Sequence, residues 1–86
     1  MKFETAFEIM KLAPTNDVEV VFFGRTKEFG AYDLRTRWAC KLDELPFWVS
    51  RFDVNQVNVC DYQSDLFIFL EPDQVNRYWE KIEALS

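Results

Sequence analysis

Leu66-Phe67-Ile68-Phe69-Leu70 is the stretch that most constrains what this chain can fold into. Five large apolar residues stand in a row between Asp65 and Glu71-Pro72. A half-buried strand alternates apolar and polar residues, and this run does not. Both of its faces need cover, so it reads as a central strand. It is too short to cross a bilayer. The clearest helical pattern follows directly: Val75, Tyr78, Trp79, Ile82 and Leu85 keep helical period. Pro72 fits the first helical position after Glu71 as cap, and Asp73 and Arg77 have the favoured i, i+4 order. Trp79, central in that stripe, is expected to anchor the core.

Taken from the start, Phe3, Ala6, Phe7, Met10 and Ala13 predict a helix over 3–13, ended by Pro14. Val18–Phe23 and Ala31–Cys40 predict two strands joined by the Gly24–Gly30 connection. In the second strand Tyr32, Leu34, Thr36, Trp38 and Cys40 should share one face, and Asp33, Arg35 and Arg37 the other. Placing Phe23 opposite Ala31 sets Glu19 against Arg35 and Asp17 against Arg37, which favours that register on the wet face. Leu42–Phe52 predicts a helix with Asp43 as N-cap, Pro46 in its first turn and Leu45, Trp48, Val49 and Phe52 as its buried stripe. Val57–Tyr62 predicts a third strand before the apolar run. The expected order is α-β-β-α-β-β-α: an α+β fold with three helices on a four-stranded, mainly antiparallel sheet.

Eighty-six residues suit a single compact domain, 1–86. So small a chain needs a dense core, and 49% hydrophobic and 17% aromatic content meets that need. The net charge of −5 argues against direct nucleic-acid binding and against an anionic membrane surface. The charge is uneven, however. Arg25, Lys27, Arg35, Arg37 and Lys41 face only Glu28 and Asp33 within residues 25–41, and the chain beyond is acidic. Cys40 and Cys60 form no C-x-x-C pair, and Glu4 and Glu8 interrupt any leader-like apolar run. Packed, reduced thiols and a cytoplasmic location are the expectation.

Catalytic patterns are absent. There is no histidine, the commonest general base and metal ligand. Cys40 has no activating partner, and Lys41 beside it points the other way along a strand. Asp43-Glu44 and Asp61/Asp65 are explained as cap and turn residues. Gly24-Arg25-Thr26-Lys27-Glu28-Phe29-Gly30 lacks the Gly-Lys-Ser/Thr end of a phosphate loop and reads as a hairpin loop with a cationic tip. No enzyme, metal or cofactor is expected.

Two surfaces are candidates for binding. Val21 and Phe23 with Arg35 and Arg37 combine apolar and aromatic residues with arginines, which is interface composition. Asp61, Asp65, Asp73 and Glu80 offer an alternative, acidic surface that could mimic nucleic acid toward a basic partner. In size and charge the chain is similar to small phage or mobile-element inhibitors, such as anti-CRISPR and anti-restriction proteins, and to immunity proteins. The reading is a non-enzymatic module that binds and occludes a larger protein partner. The alternatives are a structural or assembly protein acting as a homo-oligomer, with a homodimer the simplest case, and an immunity or antitoxin-type protein.

Overall fold

The structure is a computed structural model and describes residues 1–25 and 31–85. The cationic loop tip expected at residues 26–30 lies outside them. The order is helix α1 (Phe3–Lys11), strands β1 (Asp17–Arg25) and β2 (Tyr32–Lys41), and two short 3-10 turns (Leu42–Glu44 and Phe47–Arg51). Strands β3 (Gln56–Val59) and β4 (Ser64–Leu70) and helix α2 (Pro72–Glu83) follow. The class is α+β, with two α-helices where three were expected. Pro46 accounts for the missing one. A residue before proline is pushed out of the helical region, and Leu45 sits at φ −58°, ψ 127°. The predicted helix therefore breaks into two 3-10 turns, and Asp43 makes no side-chain cap.

The four strands lie in the order β2-β1-β4-β3. The two outer pairings are antiparallel, but the central pairing, β1 with β4, is parallel. The sheet is thus mixed, with two antiparallel pairings and one parallel, where a mainly antiparallel sheet was expected. The two strands richest in buried apolar residues, β1 and β4, take the centre. The apolar run is a central strand, as its composition demands.

One face of the sheet carries the core. Val18, Val20 and Phe22 of β1 and Leu66, Ile68 and Leu70 of β4 are buried there together with Ala6, Met10, Val49, Phe52 and Ile82. Phe22 is fully buried, stacked on Trp48 at 6.0 Å and edge-on to Phe52 at 6.3 Å. Tyr78 closes the same cluster, 4.7 Å from Phe52. Ile82, not Trp79, is the fully buried residue of α2. The first helical position of α2 is Pro72, and the Glu71 N–H donates to Gln74 Oε1 at 2.9 Å. At the free side of β3, Met1 and Val54 exchange backbone hydrogen bonds, both 2.7 Å.

The first hairpin differs from the expected register. Asp17 pairs with Lys41 and Glu19 with Ala39, four residues further along β2 than expected. Bases at 35, 37 and 41 allow charge pairing in either register. The core face selects the observed one, because it sets Val20 against Trp38 and Val18 against Cys40. A bulge then interrupts the ladder: Phe22 faces Thr36, but Phe23 faces Leu34, leaving Arg35 as the extra residue. Beyond it every side chain of β2 changes face.

Candidate interaction face

Every helical element packs against the same side of the sheet. Among the described residues no helix or 3-10 turn lies on the other side. That open face is built from the odd positions of β1 and β4 and from β2 on either side of its bulge. Val21 and Phe23, Phe67 and Phe69, and Tyr32 and Leu34 meet there in one apolar field. Phe23 lies 6.3 Å from Phe67 and 4.8 Å from Phe69, and Phe69 lies 4.9 Å from Tyr32. Val21 is the buried floor of the field, and Leu34 is its most exposed member at 51%.

Charged side chains frame the field in pairs. Arg37 Nη1 lies 3.3 Å from Glu19 Oε1, a solvent-screened pair worth about 0–1 kcal/mol. Lys41 pairs with Asp17 at one end of the sheet. At the other end Glu71 accepts from both Arg25 and the Tyr32 hydroxyl, and the Arg25 guanidinium stands 5.4 Å over the Tyr32 ring. The Tyr32 hydrogen bond, reinforced by Arg25, holds the Glu71 carboxyl below its ordinary range, and the same bond raises the Tyr32 phenol. This cluster ties the loop end of the hairpin to the start of α2.

Of the four residues expected at the basic interface, Val21, Phe23 and Arg37 share this face. Arg35 does not, because the bulge turns it to the helix side. Its guanidinium stands 5.8 Å from the Trp79 ring. Its Nε is buried without a hydrogen-bond partner among the described residues. Gly24 makes room for it: a Cβ there would sit 2.7 Å from Arg35 Nε and 2.9 Å from Val75 Cγ2. Trp79 is accordingly a half-buried shelf for Arg35 at the margin of α2. Tyr32 and Leu34, expected on the core side, belong to the open face for the same reason. Gly24 was the available signal, since a glycine inside a strand marks a bulge or a close approach.

The acidic candidates do not form one surface. Asp65 lies on the open face, half-buried, accepting from Gln63 Nε2 at 2.7 Å. Asp61 is exposed in the β3–β4 turn, and Asp73 and Glu80 are exposed on α2, across the sheet from Asp65. Cys40 is half-buried and Cys60 exposed, so only one of the two thiols is packed, and both are free. Burial, with Glu44 and Asp43 nearby, pushes the Cys40 thiol up to about 11, which disfavours the thiolate a nucleophile needs. Among the described residues no group of three or more Cys, Asp or Glu side chains could hold a metal ion, and no helix is long and apolar enough to cross a membrane. Compared with family models, curated proteins and solved structures, the chain matches none.

Proposed function

We propose that this protein is a non-enzymatic binding module, an inhibitor that lays its open sheet face on a larger protein and occludes a functional surface there. One observation carries the reading. β4 is apolar on both faces, yet among the described residues the helices and turns cover only one of them. Leu66, Ile68 and Leu70 go under the helices, while Phe67 and Phe69 stay on the uncovered side with Phe23 and Tyr32. A contiguous aromatic field with a charged rim is the composition of a binding surface. The rings are packed on one another and need little ordering on contact, which favours affinity. The acidic alternative has weaker support, since its residues are divided between two sides of the molecule.

The test places a photo-crosslinking residue at Leu34, on the open face, and at Glu80, on the exposed side of α2. Crosslinking in extract of the producing cell's host should join one protein to the Leu34 probe and leave the Glu80 probe unreacted. The purified partner should then lose binding to Leu34→Glu while that variant melts like the parent. Capture through Glu80 instead, or undiminished binding by Leu34→Glu, overturns the assignment.

A further inference from the structure

We infer that Arg35, held against Trp79 on the helix side of β2, is a binding site for a carboxylate, presented by an acidic side chain of a protein partner. The site lies across the sheet from the open face and stands independently of the functional reading above.

Two local departures in the fold serve this one side chain. Unbroken alternation along β2 would set Arg35 beside Arg37 on the open face, and the bulge turns it to the other side. Gly24 then leaves the slot it occupies, where a Cβ would lie 2.7 Å from Arg35 Nε and 2.9 Å from Val75 Cγ2. A stem laid over apolar neighbours would account for this position if the whole charged head stayed in water. It does not: Nε is buried and has no hydrogen-bond partner among the described residues. The guanidinium is therefore both fixed in place and partly stripped of water.

Its neighbours in the hairpin are neutralised, and it is not. Arg25 holds Glu71, Arg37 holds Glu19 and Lys41 holds Asp17. Arg35 makes no hydrogen bond or ion pair among the described residues, although the chain carries a net charge of −5. Asp33, exposed and opposite Gly24, does not pair with it. A half-buried cation left unpaired in an acidic protein is a vacant half of an ion pair.

The geometry selects the other half. Only Nε of the three guanidinium nitrogens is buried, so a ligand meets the two Nη groups end-on. That planar fork matches the two oxygens of a carboxylate. The Trp79 ring, 5.8 Å from the guanidinium carbon, offers an apolar shelf for the methylenes of an aspartate or glutamate. Partial removal of water strengthens the attraction to the incoming charge. A single positive charge suits a monoanion, whereas a phosphate group of nearly two charges meets repulsion from Asp33 and from the chain as a whole. Arginine beside tryptophan is also the composition that anchors protein interfaces.

The experiment is an NMR titration of the full chain at constant ionic strength, reading the Arg35 Nε–H and the Trp79 indole N–H. The probe is a blocked Gly-Glu-Gly peptide, compared with blocked Gly-Gln-Gly and with inorganic phosphate. The glutamate peptide should shift both signals saturably, with a dissociation constant on the order of tens of millimolar for one charge-assisted pair, and the glutamine peptide should shift neither. Arg35→Lys keeps the charge but loses the fork, so the saturable shift at Trp79 should disappear while the melting curve stays near the parent's. The three probes on the parent protein decide the matter even where that variant folds poorly. Signals that do not saturate, an equal response to the glutamine peptide, or tighter binding of phosphate than of the glutamate peptide overturns the inference. So does a folded Arg35→Lys that responds like the parent.

Discussion

Phe22 and Phe23 are neighbours on β1 with opposite fates, and replacing each by alanine tests the architecture directly. Phe22 is fully buried against Trp48 and Phe52. Removing a closed-in aromatic ring costs about 3–5 kcal/mol. Its two ring contacts, each worth up to about 1.5 kcal/mol beyond area, place Phe22→Ala in the upper half of that range. A domain of 86 residues has a total stability on the order of 4–13 kcal/mol, so at the lower end of that range the variant is close to unfolding at room temperature. At about 2.1 cal/mol/K per residue, a loss of 4 kcal/mol lowers the melting temperature by more than about 20 °C. Phe23 borders water on the open face, where Phe67 and Phe69 can close over the gap, so Phe23→Ala should cost only about 1–3 kcal/mol. The assay is urea unfolding followed by circular dichroism and by tryptophan emission, which reports the Phe22–Trp48 stack. It is run at low micromolar protein to keep association out of the result. A loss below about 1.5 kcal/mol in Phe22→Ala, or a larger loss in Phe23→Ala, would show that the core lies on the other side of the sheet.

Gly24→Ala should destabilise by roughly 1–3 kcal/mol, because its methyl meets Arg35 and Val75 at contact distances too short to hold. Adding Arg35→Ala should recover part of that loss, and strict additivity in urea melts would refute the proposed crowding. Acid should weaken the fold in a defined window. Glu71 and Asp17 are held below their ordinary values of 4.5 and 3.8, so their contribution is complete above those values and is lost as the pH falls through the lower folded ones. Urea midpoints measured at neutral and acidic pH should show this fall, and Glu71→Gln should make it shallower. An acid profile unchanged in Glu71→Gln would mean that the Arg25–Tyr32–Glu71 cluster does not form in solution.

The sequence determined by itself those features that depend on local pattern and covalent geometry. The unbroken apolar run marked β4 as central, because a strand with two apolar faces cannot sit at an edge. Pro72 placed the start of α2, and the spacing of Val75, Tyr78 and Ile82 placed its inward stripe. The pairing of β1 with β2 was legible from alternation and the short connection, but its register was not, since opposite charges placed it four residues away from the observed one. What remained required the tertiary structure. Tyr32-Asp33-Leu34-Arg35-Thr36-Arg37 alternates without a flaw, so nothing local in it announces the bulge; that feature exists because Gly24 leaves a slot for Arg35 against Val75 and Trp79. Leu42–Phe52 has helical spacing, and only the conformation at Leu45 shows that Pro46 prevails over it. The candidate face was the least legible element. Val21, Phe23 and Arg37 could be assigned to one side of a strand from period alone, but period cannot say which side the helices choose. That choice belongs to the whole molecule: among the described residues two helices and two short turns cover one face of a four-stranded sheet and leave the second face of β4 apolar and open.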